Sequence, residues 1–96
     1  MKRIIDGKVY NTETSELIEE WSNGLFANDF NHAYENLYKS KKGQLFMTGN
    51  TVFVHSVDNI ANDICLMTEE NVLEWMQLRK IDADLLIKLD IKIEEG

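Results

Sequence analysis

The sequence predicts an α+β domain: an antiparallel β-meander of about four strands packed against one or two C-terminal helices. Three observations lead there. Strand-favouring segments separated by Gly- and Asn-containing turns fill the first two thirds of the chain. A capped, amphipathic helical pattern follows at residues 68–80. And 96 residues suffice for one modest core, so residues 1–96 are expected to form a single domain. An apolar fraction of 44% is near the globular norm, which argues against wholesale disorder.

"RIIDGKVY" flanks Asp6-Gly7 with apolar pairs. Asp-Gly between apolar residues is a tight-turn signal because glycine accepts positive φ, so a short hairpin or bent strand is expected. "TETSELIEEWSNG" is ambiguous: Leu17, Ile18, Trp21 and Leu25 are spaced as on a helix face, while Leu17 and Trp21 also alternate with polar neighbours. Residues 30–49 read as a hairpin, with Tyr34, Leu37, Tyr38, Leu45, Phe46 and Met47 supplying bulk and "KSKKG" the turn. "NTVFVHSV" at 50–57 and "NDICLMT" at 62–68 supply two further short strands. Thr68 can N-cap a helix with Glu69 and Glu70 at its positive end and Arg79 and Lys80 at its negative end. Its core side is Val72, Trp75 and Met76. Residues 82–89 are expected to form a second helix capped by Asp82, although Ile87, Leu89, Ile91 and Ile93 also alternate as in a strand.

The formal charge is −7, from 17 acidic and 10 basic residues. Residues 1–50 hold 7 acids and 6 bases, and residues 51–96 hold 10 acids and 4 bases. Such a surface repels phosphate backbones and favours a basic partner, with an attraction that salt weakens. The plainer reading is that acidity keeps a small protein soluble. Cys65 is the lone cysteine, so no intrachain disulfide forms, which fits a reducing cytoplasm. The basic start lacks the apolar run of a signal peptide, and no stretch is long enough to span a membrane, so a soluble cytoplasmic protein is expected.

Reaction chemistry is hard to place. His32, His55 and Cys65 form no short ligand pair, so no metal site is expected. Cys65 with His55 and Asp58 or Asp63 carries no nucleophile signature, and its apolar run points to an inert buried thiol. Glu19-Glu20 and Glu69-Glu70 are adjacent carboxylates without an evident cleft, and Glu69-Glu70 fits helix-start chemistry. The glycines are scattered turn residues, so no phosphate loop or cofactor motif is expected. Tyr34, Tyr38 and Phe46 with Lys39, Lys41 and Lys42 come nearest to a single-strand nucleic-acid platform, against the net charge. The chain is therefore read as a binding protein and not an enzyme.

Three stretches, "KRIIDGKVYNTETSELIEEWSNG", "DFNHAYENLYKSKKGQLFMTG" and "LMTEENVLEWM", resemble successive blocks of a family of small proteins carried by phages, plasmids and integrative elements. That family has an "xGKxYxTxTA" opening, an "LYxxKKGxxFLxG" hairpin and a "PLTEEEAxxWL" helix start, and the likeness covers most of residues 2–78. It departs just before Thr68, where the pattern has Pro-Leu and this chain has Leu66-Met67, at Ser15, where it has alanine, and at "TGNTVFVH", where it has a glycine-rich stretch. The resemblance implies a strand at about Ser15–Trp21, against local propensity. It further implies similarity to anti-CRISPR and other anti-defence proteins, some of which occupy the nucleic-acid channels of effector nucleases. On that reading an acidic surface competes with nucleic acid for a basic CRISPR effector. The expected contacts are Glu13, Glu16, Glu19, Glu20, Asp29 and Glu35, with Asp58 and Asp63 next. The alternative is a non-enzymatic interaction or regulatory accessory protein of a phage or plasmid, which could act as a homodimer.

Overall fold

A computed structural model describes residues 1–51, 60–61, 64–94 and 96. The chain opens with a two-stranded hairpin, β1 (Lys2–Ile5) and β2 (Lys8–Asn11). Asp6 and Gly7 both take positive φ, 52° and 75°. Two left-handed central residues give the turn the twist a two-residue hairpin needs.

The main sheet contains β3 (Glu16–Ser22), β4 (Tyr34–Lys39), β5 (Leu45–Gly49), β6 (Ile60–Ala61) and β7 (Ile64–Met67). All pairings are antiparallel, in the order β3-β4-β5-β7-β6. The expected meander therefore holds from β3 to β5. It then gives way to a different order: the chain passes to the edge as β6 and returns as β7 beside β5. The buried run Ile64, Cys65 and Met67 takes the inner position, where both faces are covered. The strand expected at 50–57 lies outside the described residues except at its first two positions.

Two helices follow, α1 (Glu69–Arg79) and α2 (Leu85–Leu89). Thr68 caps α1 as expected. Its Oγ1 accepts from the Asn71 N–H at 3.1 Å, while Asn71 Oδ1 accepts from the Thr68 N–H at 2.9 Å. This reciprocal pair satisfies two amides that the first turn leaves unpaired. The second helix is shorter than expected. A turn starting at Asp82 leads into it, and Asp82 Oδ1 accepts from the Asp84 N–H at 2.8 Å. Ile87 is 81% exposed, and the alternation at 87–93 makes no strand. Helical spacing buries Leu85, Leu86 and Leu89 together, which alternation does not allow.

The sheet is covered on both sides. On one, Leu37, Leu45, Met47, Cys65 and Met67 pack against Val72, Trp75 and Met76 of α1 and the three leucines of α2. On the other, Phe46 and Ile64 are covered by Ile5 and Tyr10 of the β1–β2 hairpin. Tyr10 meets Phe46 edge-on at 5.6 Å, and Tyr38 stacks on Phe46 at 5.3 Å. β3 is left at one edge of the sheet, and that places the site considered next.

Candidate functional site: an acidic edge strand and an aromatic loop

Among the described residues the edge strand β3 pairs only with β4. A bulge between Leu17 and Glu19 interrupts its register. The pairing sets Glu16 opposite Lys39, Glu19 opposite Leu37 and Glu20 opposite Asn36. Successive strand residues point to opposite faces, so Glu16 and Glu19 lie on the helix side and Glu20 on the hairpin side. Glu16 and Glu20 are exposed and Glu19 is half-buried. Glu13 is exposed in the turn before β3, its N–H donating to Asn11 Oδ1 at 3.0 Å. The carboxylates thus follow the rim of the sheet instead of forming one flat patch. Seven residues of strand carry that rim over roughly 20 Å.

Beyond β3 the chain forms a loop, residues 23–33, tied together by its own polar groups. Asn23 Oδ1 accepts from the N–H groups of Leu25 and Ala33, both at 3.2 Å, and Asn23 Nδ2 donates to Asn31 O at 2.8 Å. The Asp29 N–H donates to Phe26 O at 2.9 Å, and Asp29 Oδ1 accepts from the Asn31 N–H at 2.7 Å. His32 Nδ1 lies 3.1 Å from Leu25 O, and the His32 ring stacks on Tyr34. So Asp29 is exposed as expected, but it also shapes the loop. The loop displays Phe26, 84% exposed, and Phe30, fully exposed, with Leu25 beside them. Burying a phenylalanine is worth about 2–3 kcal/mol, so two left in water form a surface suited to meeting another molecule. The sequence pattern marks neither as a contact, and it sets Phe30 at the opening of the hairpin read at 30–49. The available signal was two phenylalanines in a turn-rich stretch, "SNGLFANDFNH", with neither strand nor helix periodicity.

Glu35 does not belong with the partner-facing acids. It is fully buried in β4 and bound on every side by the protein itself. Arg79 donates to it twice, Nε to Oε1 at 2.7 Å and Nη2 to Oε2 at 2.8 Å. Trp75 Nε1 donates to Oε1 at 2.7 Å, and the Thr51 hydroxyl donates to Oε2. The Arg79 guanidinium also sits 3.9 Å over the Trp21 ring of β3. Burial works to raise the Glu35 pKa, but the hydrogen bonds from Arg79, Thr51 and Trp75 together outweigh it, and the carboxyl is held below the usual range. The group locks α1 to β4 and β3.

The remaining candidates separate in the same way. Cys65 is buried in the core, and burial pushes its thiol up to about 11. Tyr38 and Phe46 are engaged in packing, and Lys39, Lys41 and Lys42 occupy the far end of the β4–β5 hairpin. Asp58, Asp63 and His55 lie outside the described residues. Among the described residues no group of three or more His, Cys, Asp or Glu side chains is placed to hold a metal ion, and no helix is long and apolar enough to cross a membrane. No protein-family model, curated protein or solved structure matches the chain.

Proposed function

We propose that the protein is a non-enzymatic inhibitor that docks onto a basic, nucleic-acid-binding partner through the rim formed by β3 and the loop after it. The partner class that the sequence resemblance implies is a CRISPR effector in a bacterial cytoplasm, with the protein competing for its nucleic-acid channel. One observation carries the reading. Glu13, Glu16, Glu19, Glu20 and Asp29 follow one edge of the molecule and run into a hydrogen-bonded loop holding Phe26 and Phe30 in solvent. Carboxylates on a fixed strand steer and orient docking on a cationic groove. Aromatic rings on a braced loop supply desolvated anchors, which dominate binding energy at interfaces. The test is inhibition of target cleavage by purified effectors. Charge reversal of Glu16, Glu19 and Glu20 is expected to slow association, and Phe26→Ala/Phe30→Ala to speed dissociation. Inhibition untouched by either set refutes this docking surface.

A second reading is an accessory protein that homodimerises through the sheet edge. It is supported by the outer side of β3, which has no strand partner among the described residues, and by Leu17 of that strand, which is 41% exposed. Light scattering separates the two, since a salt-insensitive dimer lost on a proline substitution in β3 favours pairing.

A further inference from the structure

At the start of β3, beside Glu13 and Glu16, the molecule gathers lysines. The β1–β2 hairpin, the turn entering β3 and the tip of the β4–β5 hairpin enclose an open cavity of about 520 Å³. Lys8 reaches it from β2, and Lys41 and Lys42 from the hairpin tip, with no carboxylate in its lining. A neighbouring depression of about 530 Å³ shares Lys41 and Lys42 and adds Lys39 and Glu16, which face each other across β3 and β4. Lys39 therefore has a carboxylate opposite it. Lys8, Lys41 and Lys42 have none within ion-pair distance among the described residues, in a chain whose 17 acids outnumber its bases.

The backbone contributes as well. In the tip turn the Ser40 N–H donates to Gln44 O and the Gly43 N–H to Ser40 O, both at 2.9 Å, and the Gln44 N–H donates to Ser40 Oγ at 3.1 Å. Gly43 takes φ +90°, a left-handed geometry that closes the turn. Among the described residues the N–H groups of Lys41 and Lys42 have no hydrogen-bond partner. Ser40 Oγ, which accepts from Gln44, still has its own proton to donate. Three lysines and a hydroxyl-bearing serine line one concavity and form a positive donor set of the kind that holds phosphate.

We propose that this cavity is a binding site for a compact phosphate anion of the pyrophosphate or triphosphate type. Three cations from two separate hairpins match a small ligand bearing several negative charges close together. An extended phosphodiester strand, by contrast, meets Glu16 in the adjoining depression. Val9, 59% exposed in the wall, gives room for an organic group attached to the phosphates.

The proposal does not rest on the inhibitor reading and is tested on the isolated protein. Amide spectra are recorded while adding inorganic phosphate, pyrophosphate, tripolyphosphate, ATP or a single-stranded oligonucleotide, against sodium chloride at equal ionic strength. Saturable shifts confined to residues 8–15 and 39–44 are expected with pyrophosphate and tripolyphosphate. Tighter binding of ATP than of tripolyphosphate identifies the nucleotide as the source. Lys8→Gln/Lys41→Gln/Lys42→Gln is expected to weaken binding at least about tenfold. Lys80→Gln/Lys88→Gln/Lys92→Gln, an equal change of charge on the helical side, is expected to change it less than about twofold. Shifts that chloride reproduces, equal losses in the two triple variants, or tighter binding of the oligonucleotide than of every polyphosphate overturn the site.

Discussion

At the scale of single residues, the decisive side chain is Glu35. Its position in "HAYENLY" reads as an ordinary acid on a strand, because its partners Trp75 and Arg79 are 40 and 44 residues away. A one-dimensional pattern does not pair β4 with the inner face of α1. Trp75 and Arg79, four apart on the predicted helix, were legible as one face but not as a pair of donors. A carboxylate depressed in the folded state stabilises fully above its unfolded pKa, about 4.3, and that contribution fades as pH falls toward the lower folded value. The native protein should therefore lose stability below about pH 4.5. Glu35→Gln should cost about 3 kcal/mol at pH 7 by leaving Arg79 without its counter-charge, and should flatten the acid limb. Urea denaturation of both proteins at pH 7 and pH 3.5 checks both outcomes. Cys65 gives a second residue-scale prediction. Its buried thiol, raised to about 11, should resist alkylation at pH 8 in the native protein and react only on unfolding in denaturant. Rapid native labelling contradicts its placement.

At the scale of elements, local chemistry was legible where it is self-contained. Asp6-Gly7 marks its own turn, and Thr68 marks the start of α1. The segment 16–22 was ambiguous for a structural reason. Ile18 and Trp21 both join the helix-side core, although residues three apart point to opposite faces of a regular strand. The bulge between Leu17 and Glu19 restores their common face, so a strand acquires a helix-like spacing of apolar residues. The carbonyl of Ile18 at the bulge accepts from Lys88 Nζ of α2 at 3.3 Å. Strand order past β5 was not legible, since nothing local determines which of two short strands takes the inner position. Caps provide the element-scale tests. Thr68→Ala should destabilise by about 1 kcal/mol. Lys80, which ends α1 at φ 56°, holds a left-handed conformation that favours glycine, and its N–H donates to Gln77 O at 3.4 Å. Lys80→Gly should stabilise by about 0.5–1 kcal/mol, since relief of the left-handed strain exceeds the entropy glycine loses. Thermal melts of the two variants should move in opposite directions.

At the scale of the whole molecule, a sheet between a helical layer and a small hairpin leaves the β3 rim for contact. The rim carries carboxylates and two solvent-exposed phenylalanines along β3 and its following loop, and at its start lysines that have no ion-pair partner among the described residues. The net charge of −7 was plain in the composition. Its arrangement was not, because the register divides Glu16 and Glu19 from Glu20 and takes Glu35 into the core. Association through such a rim should weaken steeply as salt rises, since screening acts on exposed charges. The most direct measurement is a binding competition on a purified CRISPR effector between this protein and target nucleic acid, at low and high salt. The account predicts mutually exclusive binding that weakens with salt and is lost when Glu16, Glu19 and Glu20 are reversed to lysine. A complex holding protein and nucleic acid together, equally stable at both salts and indifferent to the reversal, would contradict it.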